Sequence, residues 1–410
     1  MQVSTNFAPP FKLIAPFFLI GVMVLVVSVL SLFLLDIVDI STLHLQVLSW
    51  VHLFLLGFVM MIIFGAMAQL VPVVLEVEHF AVELYYAIYP LLLIGTVLMV
   101  FGFLKYPLLL PFGGVVAFIS FGIFLLETFL TLSKLKNLNF VTLSVLVANL
   151  FLLIGLIVGI VLALGYSGLV AIDFNKFLTT HIYFVFVGYV GVSIMGMSLV
   201  LLPMFWLSHS FSQVWVKLSL SLLSFGVVCV GSGAIIDIYK MQQIGYIATL
   251  LAALFYGLQI VIIYKTRARI EKDIYLKSMI ASFLFFLLSV CFSGVYLSNS
   301  LDRLLLTFGW FGFGFITLMI SGHLYKIIPF LVWYERFSPY VGKKKVPMLA
   351  DMVPKRSASV QFLFSVVGFS IVGFAFLFNN QTLFLGGVSF LVVGVIFLLK
   401  DIIYMINFKG

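Results

Sequence analysis

The length, composition and charge of the chain together exclude a soluble protein. It has 410 residues, of which 64% are hydrophobic and only 9% are charged. A soluble core cannot bury that much apolar surface, whereas a bilayer takes apolar spans of roughly 20 residues each. The net charge of +8 does not indicate a nucleic-acid partner, because the basic residues fall mainly in predicted loops on one side of the membrane.

Apolar runs between charged or turn-rich breaks predict about twelve transmembrane helices. The predicted spans cover residues 11–35, 43–72, 82–104, 107–132, 140–166, 174–207, 213–238, 242–264, 276–298, 303–332, 358–378 and 383–406. We therefore predict an all-α polytopic membrane protein that forms one integral membrane domain, 1–410, in contact with membrane lipid. The first apolar run is long enough to remain as a span instead of being cleaved as a signal peptide.

The distribution of basic residues predicts the orientation of these spans. When the N-terminus is placed in the cytoplasm, four of the 22 Lys and Arg residues lie outside and the other 18 lie inside. This asymmetry follows the positive-inside rule. We therefore predict a multi-pass protein of a bacterial-type inner membrane, with both termini in the cytoplasm.

One spacing recurs in the second, sixth and tenth predicted spans. In each span two glycines lie eight residues apart, and a proline follows seven residues later. The three sets are Gly57, Gly65 and Pro72; Gly188, Gly196 and Pro203; and Gly314, Gly322 and Pro329. The repeat predicts three four-helix units, approximately 11–138, 139–270 and 271–406, around a pseudo-threefold axis. Because small residues admit either a helix or a flat ligand near the backbone, Gly57 and Gly188 are candidate cofactor-binding residues, with helix packing as the alternative.

Two histidines inside these spans are the main candidate ligands. His52 lies five residues before Gly57, and His181 lies seven residues before Gly188. An ionisable residue within a span suggests a function, and neutral imidazole is a good ligand for haem iron and for copper. We predict both histidines as haem or metal ligands. At 3.6 residues per turn their positions differ by roughly 200° around a helix, so they serve either one shared site or two separate sites.

The other histidines are weaker candidates. His323 and His44 are possible metal ligands, with helix packing as the alternative for His323 and a solvated interfacial position as the alternative for His44. We expect His79 and His209 to be solvated loop residues. Acidic neighbours at 76 and 78 leave an inner metal site or a proton-uptake site open for His79.

The spans and these histidines resemble a known superfamily. Twelve spans in three four-helix units, with histidines on spans 2, 6 and 10, resemble subunit I of the haem-copper oxidases, including the cbb-type and nitric oxide reductase branches. The segment SWVHLFLLGFVMMIIFGAMAQLVP, 49–72, resembles the second-span signature of the NnrS family of haem- and copper-containing membrane proteins. The resemblance implies haem b, with or without copper, a role linked to respiration or nitric oxide, and a quinol or cytochrome electron donor.

The departures from that superfamily exclude a terminal oxidase. Residues 213–238 contain no histidine where the oxidases carry a pair on span 7. Residues 306–308 are Leu, Thr and Phe where a His-x-His would precede Gly314, and Val185 replaces the expected tyrosine. We also expect no carboxylate in the middle of the membrane, since Glu127 and Asp237 lie toward span ends, and therefore no proton pumping.

Three functions remain open at this stage. The first is a reduced member of the superfamily that binds haem near the outer face, with or without an oxidoreductase activity. The second is a factor that delivers haem or copper, or assembles an oxidase. The third is a twelve-helix secondary transporter, which the threefold repeat disfavours because such transporters usually consist of two related halves.

Overall fold

The computed structural model of the protein describes residues 9–38, 40–41, 44–209 and 211–409. Over these residues the backbone forms helices and turns but no β-strand. Within the described part of the chain, twelve helices are long and apolar enough to cross a membrane, which confirms the predicted all-α polytopic fold. They are α1 Phe11–Leu34, α2 Leu45–Leu75, α3 Val82–Leu104, α4 Leu109–Leu132, α5 Phe140–Tyr166, α6 Phe174–Trp206, α7 Val214–Ile235, α8 Tyr239–Lys265, α9 Ile274–Ser298, α10 Asp302–Arg336, α11 Lys355–Phe378 and α12 Gln381–Ile406.

The predicted and observed helix ends agree to within a few residues. The largest difference is at the end of α10, which continues to Arg336, and α2 likewise continues beyond its predicted end to Leu75. Prolines at 72 and 329 lie inside these two helices and do not end them. The predicted start of the second span at residue 43, and the N-terminal segment 1–8, lie outside the described residues.

Polar side chains determine where several helices begin. Asn139, Asp273 and Asn380 each accept a hydrogen bond from the backbone N–H three residues later, at 2.8–2.9 Å, at the starts of α5, α9 and α12. Asp173 caps α6 in the same way at 3.4 Å. Each such cap satisfies one of the unpaired N–H groups of the first turn and typically contributes about 1 kcal/mol.

The chain divides into two compact units. The first unit contains residues 70–271, which form the end of α2 and helices α3 to α8. The second unit contains residues 9–69 and 272–409, which form α1, most of α2 and helices α9 to α12. Within the units, α3 packs with α4, α7 with α8, α9 with α10, and α11 with α12. The second unit therefore joins the two ends of the chain, with α1 packed against α12.

The second glycine of each repeat packs against the helix that precedes its own. An added Cβ at Gly65 would lie 2.7 Å from the Cβ of Phe17 on α1. The equivalent contacts are between Gly196 and Ser144 on α5, and between Gly322 and Ser278 on α9. Close helix approach therefore accounts for this glycine in all three motif helices. The three repeat units themselves stay a prediction.

We expect Gly65→Ala to lower the free energy of unfolding by about 1–3 kcal/mol, because the new methyl group overpacks the contact with the stiff base of Phe17. The matched control is Gly257→Ala on α8, where an added Cβ meets no atom within 4 Å and alanine is the better helix former. Thermal unfolding of both variants in detergent measures the difference. Equal melting temperatures for Gly65→Ala and the unmodified protein would contradict the packing role.

Candidate functional site

His52 ends the first α-helical part of α2 and is followed directly by a π-helix. The α-helical part covers Leu45–His52, and the π-helix covers Leu53–Met60. The half-buried imidazole lies with Nδ1 2.7 Å from the carbonyl oxygen of Leu48, one turn earlier. Because a carbonyl only accepts, Nδ1 carries the proton, and the lone pair of the neutral ring is on Nε2.

His181 has the same arrangement on α6. The α-helical part Phe174–Ile182 is followed by a π-helix over Tyr183–Gly191. The Nδ1 atom of His181 donates to the carbonyl oxygen of Gly155 on α5, at 2.9 Å. The lone pair of the neutral ring is therefore on Nε2 here too.

Two glycines on α5 let α6 approach closely around His181, and one of them, Gly159, makes room for its ring. An added Cβ at Gly159 would lie 2.9 Å from Cε1 of His181, and one at Gly155 would collide with Val185. These two glycines form a G-x-x-x-G spacing, which lets helices approach closely within a membrane. Sequence reasoning missed this pair, although the spacing itself is the signal that identifies it.

The π-helices change the expected relation between each histidine and its repeat glycine. The value of roughly 200° assumed α-helical turns, whereas Gly57 and Gly188 lie inside segments with i→i+5 hydrogen bonds. In contrast, α10 carries the third motif and is α-helical from Asp302 to Arg336. Because π-helical turns are rare and occur often at functional sites, the two that follow His52 and His181 make α2 and α6 the candidate site helices.

Both glycines predicted to lie beside a cofactor are in packed surroundings. An added Cβ at Gly188 would lie 3.0 Å from side-chain atoms of Phe151 on α5, so helix packing accounts for this position. Gly57 is buried within the π-helix of α2. A role for either glycine beside a cofactor stays a prediction.

Aromatic side chains surround the N-terminal part of α2 beside His52. The ring of Trp50 lies 5.6 Å from the rings of Trp310 and Phe313 on α10. Its indole N–H donates to the carbonyl oxygen of Ser28 on α1, at 2.9 Å. These contacts hold α2 against α1 and α10 at the level of His52.

His323 lies at a different depth of the second unit from His52. The contacts of Trp50 with α10 place His52 level with residue 312 or so of α10, which is about 16 Å along the helix axis from His323 at 1.5 Å per residue. The Nδ1 atom of His323 donates to the carbonyl oxygen of Met319 at 2.9 Å, and the ring packs edge-on against Tyr275 at 5.2 Å. His323 and His52 therefore do not form one site.

The two exposed histidines have other surroundings. His44 precedes α2, and its Nδ1 accepts a hydrogen bond from the backbone N–H of Gln46 at 3.4 Å, so it caps the helix at the surface. His209 is an exposed loop residue, as predicted. A metal role for His44 stays a prediction.

The expectation of a solvated loop is wrong for His79. Its side chain is only 6% exposed, and Nδ1 donates to the carboxylate of Glu127 at 2.7 Å. The same carboxylate accepts from the backbone N–H of Phe80 and from the hydroxyls of Tyr85 and Thr131, at 3.2, 3.2 and 2.7 Å. Glu127 therefore clamps the loop between α2 and α3 onto α4, and the partner of His79 is this residue instead of the acidic loop residues.

Two carboxyl groups toward the ends of spans are buried, while the expectation of no carboxylate in the middle of the membrane stays a prediction. Glu127 is 1% exposed, and Asp401 on α12 is fully buried. The Tyr325 hydroxyl of α10 donates to Oδ2 of Asp401 at 2.7 Å. Sequence reasoning passed over Asp401, because it follows Lys400 near the end of a span and resembled an interfacial residue.

The donor set fits a haem better than a bare metal ion. Among the residues that the structure describes, no group of three or more His, Cys, Asp or Glu side chains lies close enough together to hold a metal ion. A haem needs only one or two protein ligands, because the porphyrin nitrogens supply the others. His52 belongs to the second unit and His181 to the first, and a haem shared between them stays a prediction, as does copper.

We expect Glu127→Ala to destabilise the protein by about 3–5 kcal/mol, because it leaves several buried donors without an acceptor. His79→Ala removes one of these donors and should cost less. In a double-mutant cycle of thermal unfolding, the two changes should be strongly non-additive. Glu83→Ala, which removes an exposed carboxylate from the same end of α3, is the control. Additive effects of Glu127→Ala and His79→Ala would contradict the clamp.

Comparison with known proteins gives no identification. No protein-family model matches the chain, and no curated protein sequence matches it.

Proposed function

We propose that the protein is a haem-binding integral membrane protein in which His52 supplies an axial ligand and His181 is the second candidate ligand. The observation that supports this most is shared by the two histidines. Each lies at the junction of an α-helix and a π-helix, and each donates through Nδ1 to a backbone carbonyl. That hydrogen bond sets the tautomer in which Nε2 binds iron.

The carbonyl oxygens are the second part of the proposed site. Metal-ligating histidines almost always donate their other N–H to a carboxylate, a carbonyl or water, which fixes the ring and raises its basicity. Leu48 and Gly155 supply this acceptor for His52 and His181. The protein would thus orient each imidazole through the main chain, which stays in place when side chains change.

A bound haem b would supply electron transfer or the binding of a small gas such as nitric oxide. We place the protein in respiratory or nitric oxide-related redox chemistry at a bacterial-type inner membrane, with a quinol or a cytochrome as electron donor. Copper would be a second metal. The missing histidines of 213–238 and 306–308 argue against a terminal oxidase. Delivery of haem or assembly of an oxidase would use the same ligands and is the closest alternative.

A secondary transporter is the second candidate function. The division into two compact units favours it, since such transporters consist of two bundles. However, the boundaries of the units do not separate α1–α6 from α7–α12, as two sequence-related halves would require. The haem-binding protein is therefore the better supported proposal.

The visible spectrum of the purified protein, oxidised and reduced, tests the proposal. We expect the spectrum of a b-type haem when the protein is produced in haem-replete cells. His52→Ala should remove or strongly change it, because the axial ligand is lost. His44→Ala and His209→Ala replace exposed histidines and should leave it unchanged.

The variant His181→Ala distinguishes the arrangements of the ligands. Loss of the haem spectrum in both His52→Ala and His181→Ala would indicate a haem with two histidine ligands. Loss of the spectrum in His52→Ala alone would indicate a haem with another second ligand or with an open position. A colourless, metal-free protein from haem-replete cells would contradict the proposal and favour the transporter. Unchanged haem content in a partner oxidase, when the gene is deleted, would argue against the delivery factor.

A further inference from the structure

The most unusual ionisable group in the second unit is the buried carboxyl group of Asp401. Asp401 lies on α12, is fully buried and is contacted by Tyr325 of α10. A carboxylate taken out of water is costly unless donors or opposite charges compensate it. A carboxyl group inside a span must therefore either be compensated by donors and opposite charges or bind a proton.

The two buried carboxyl groups among the described residues, Glu127 and Asp401, differ in the number of donors that they meet. Glu127 accepts from four donors and is therefore suited to stay ionised. For Asp401, only the Tyr325 hydroxyl donates with normal geometry, to Oδ2. The other oxygen, Oδ1, is buried and accepts no hydrogen bond.

The packing of α11 on α12 places Ser357 beside this oxygen. The antiparallel contacts of Gly394 with Ser365 and of Gly368 with Leu391 set the register of the two helices. This register brings Ser357 level with Asp401 and its neighbour 402. The Ser357 hydroxyl is accordingly the other side-chain neighbour of the carboxyl group.

One additional proton would give every buried oxygen around Asp401 a hydrogen-bond partner. Three buried oxygen atoms have no donor, namely Oδ1 of Asp401, Oγ of Ser357 and Oε1 of Gln361. Gln361 follows Ser357 by one helical turn on the same face, and its Nε2 already donates to Ser365 at 3.0 Å. The Ser357 hydroxyl has one proton and can serve only one neighbour. A proton on Asp401 lets Oδ1 donate to Ser357, which then donates to Gln361, and all three oxygens are satisfied.

A surface groove lies next to this group and is lined by its neighbour Ser357. It has a volume of about 670 Å³ and is lined by Ser357 together with the exposed basic residues Lys355, Arg356 and Lys400. Ser357 therefore has the groove on one side and Asp401 on the other. The Ser357 hydroxyl is itself buried and lies between the groove and the buried acid.

We infer that Asp401 is a proton-binding site that exchanges with water in this groove through Ser357. In the binding step, hydronium gives a proton to the Ser357 oxygen as the Ser357 hydroxyl passes its own proton to Oδ1, and a water molecule and a neutral carboxylic acid result. Release reverses the same transfers. The inference does not depend on haem and applies equally to a redox protein or to a transporter.

Opposing influences act on the charge of Asp401. Burial favours the neutral acid, whereas the adjacent Lys400 and the basic residues 355 and 356 of the groove favour the carboxylate. From α10 the facing group is Tyr325, and Lys326 of that helix is already paired with Asp273 at 2.7 Å. Helix α1, which packs on α12, carries Lys12 as its single charged residue.

Infrared difference spectroscopy of the full-length protein in lipid tests the inference. We expect a C=O stretching band of a protonated carboxylic acid that appears at low pH and disappears at high pH. It should be lost in Asp401→Asn and should shift to lower frequency in D₂O. The control Asp351→Asn changes an exposed carboxylate of the same groove and should retain the band, as should Glu127→Gln. Ser357→Ala should retain the band but slow its shift in D₂O.

Two results would overturn the inference. One is the absence, at every pH at which the protein is folded, of a carboxylic acid band that depends on Asp401. The other is a band that never shifts in D₂O, which would indicate a permanently sealed acid. If Asp401→Asn does not fold, labelling of the unmodified protein with dicyclohexylcarbodiimide replaces it, since this reagent modifies protonated carboxyl groups in apolar surroundings. Modification of Asp401 and not of Glu127 would support the inference, and no modification of Asp401 would contradict it.

Discussion

Hydrocarbon offers no hydrogen-bond partner, and this single constraint explains most of the structure. Every backbone group in the spans must be paired within the chain, so the described residues form helices. The same constraint acts on polar side chains, which donate hydrogen bonds to carbonyl oxygens of their own helix or of a neighbouring helix. The Nδ1–carbonyl bonds of His52, His181 and His323 are three instances. Each bond sets a tautomer as a consequence of burial.

The same constraint separates two carboxyl groups that look alike in the sequence. Glu127 stands among four donors and holds a loop in place, so its charge is part of the fold. Asp401 meets one donor with normal geometry and lies behind a serine at the base of a groove. The number of donors around a buried acid thus distinguishes a structural role from an exchangeable one, and this number depends on contacts between helices that are distant in sequence.

The spans could be predicted from the sequence, because hydropathy over about 20 residues is a local property. The repeated glycines could be found from their spacing, but not what they face, since Phe17, Ser144 and Ser278 belong to other helices. The candidate ligands His52 and His181 were found as ionisable residues within spans. Their π-helical surroundings and hydrogen bonds could not be predicted, because no local pattern encodes a wider turn. Asp401 was overlooked because its burial comes from α10 and α11 instead of from its neighbours in the chain.

The three helices that carry the glycine motif, α2, α6 and α10, are also the longest, with 31, 33 and 35 residues. At 1.5 Å per residue they reach about 46–52 Å, whereas the hydrocarbon layer is about 30 Å thick. These helices must therefore tilt or project from the bilayer, while shorter neighbours such as α7, with 22 residues, match its thickness. A change in membrane thickness would consequently change the tilt of the three motif helices more than that of their shorter neighbours. The length of the lipid chains would thereby alter the depth of His52 and His181 below the membrane surface.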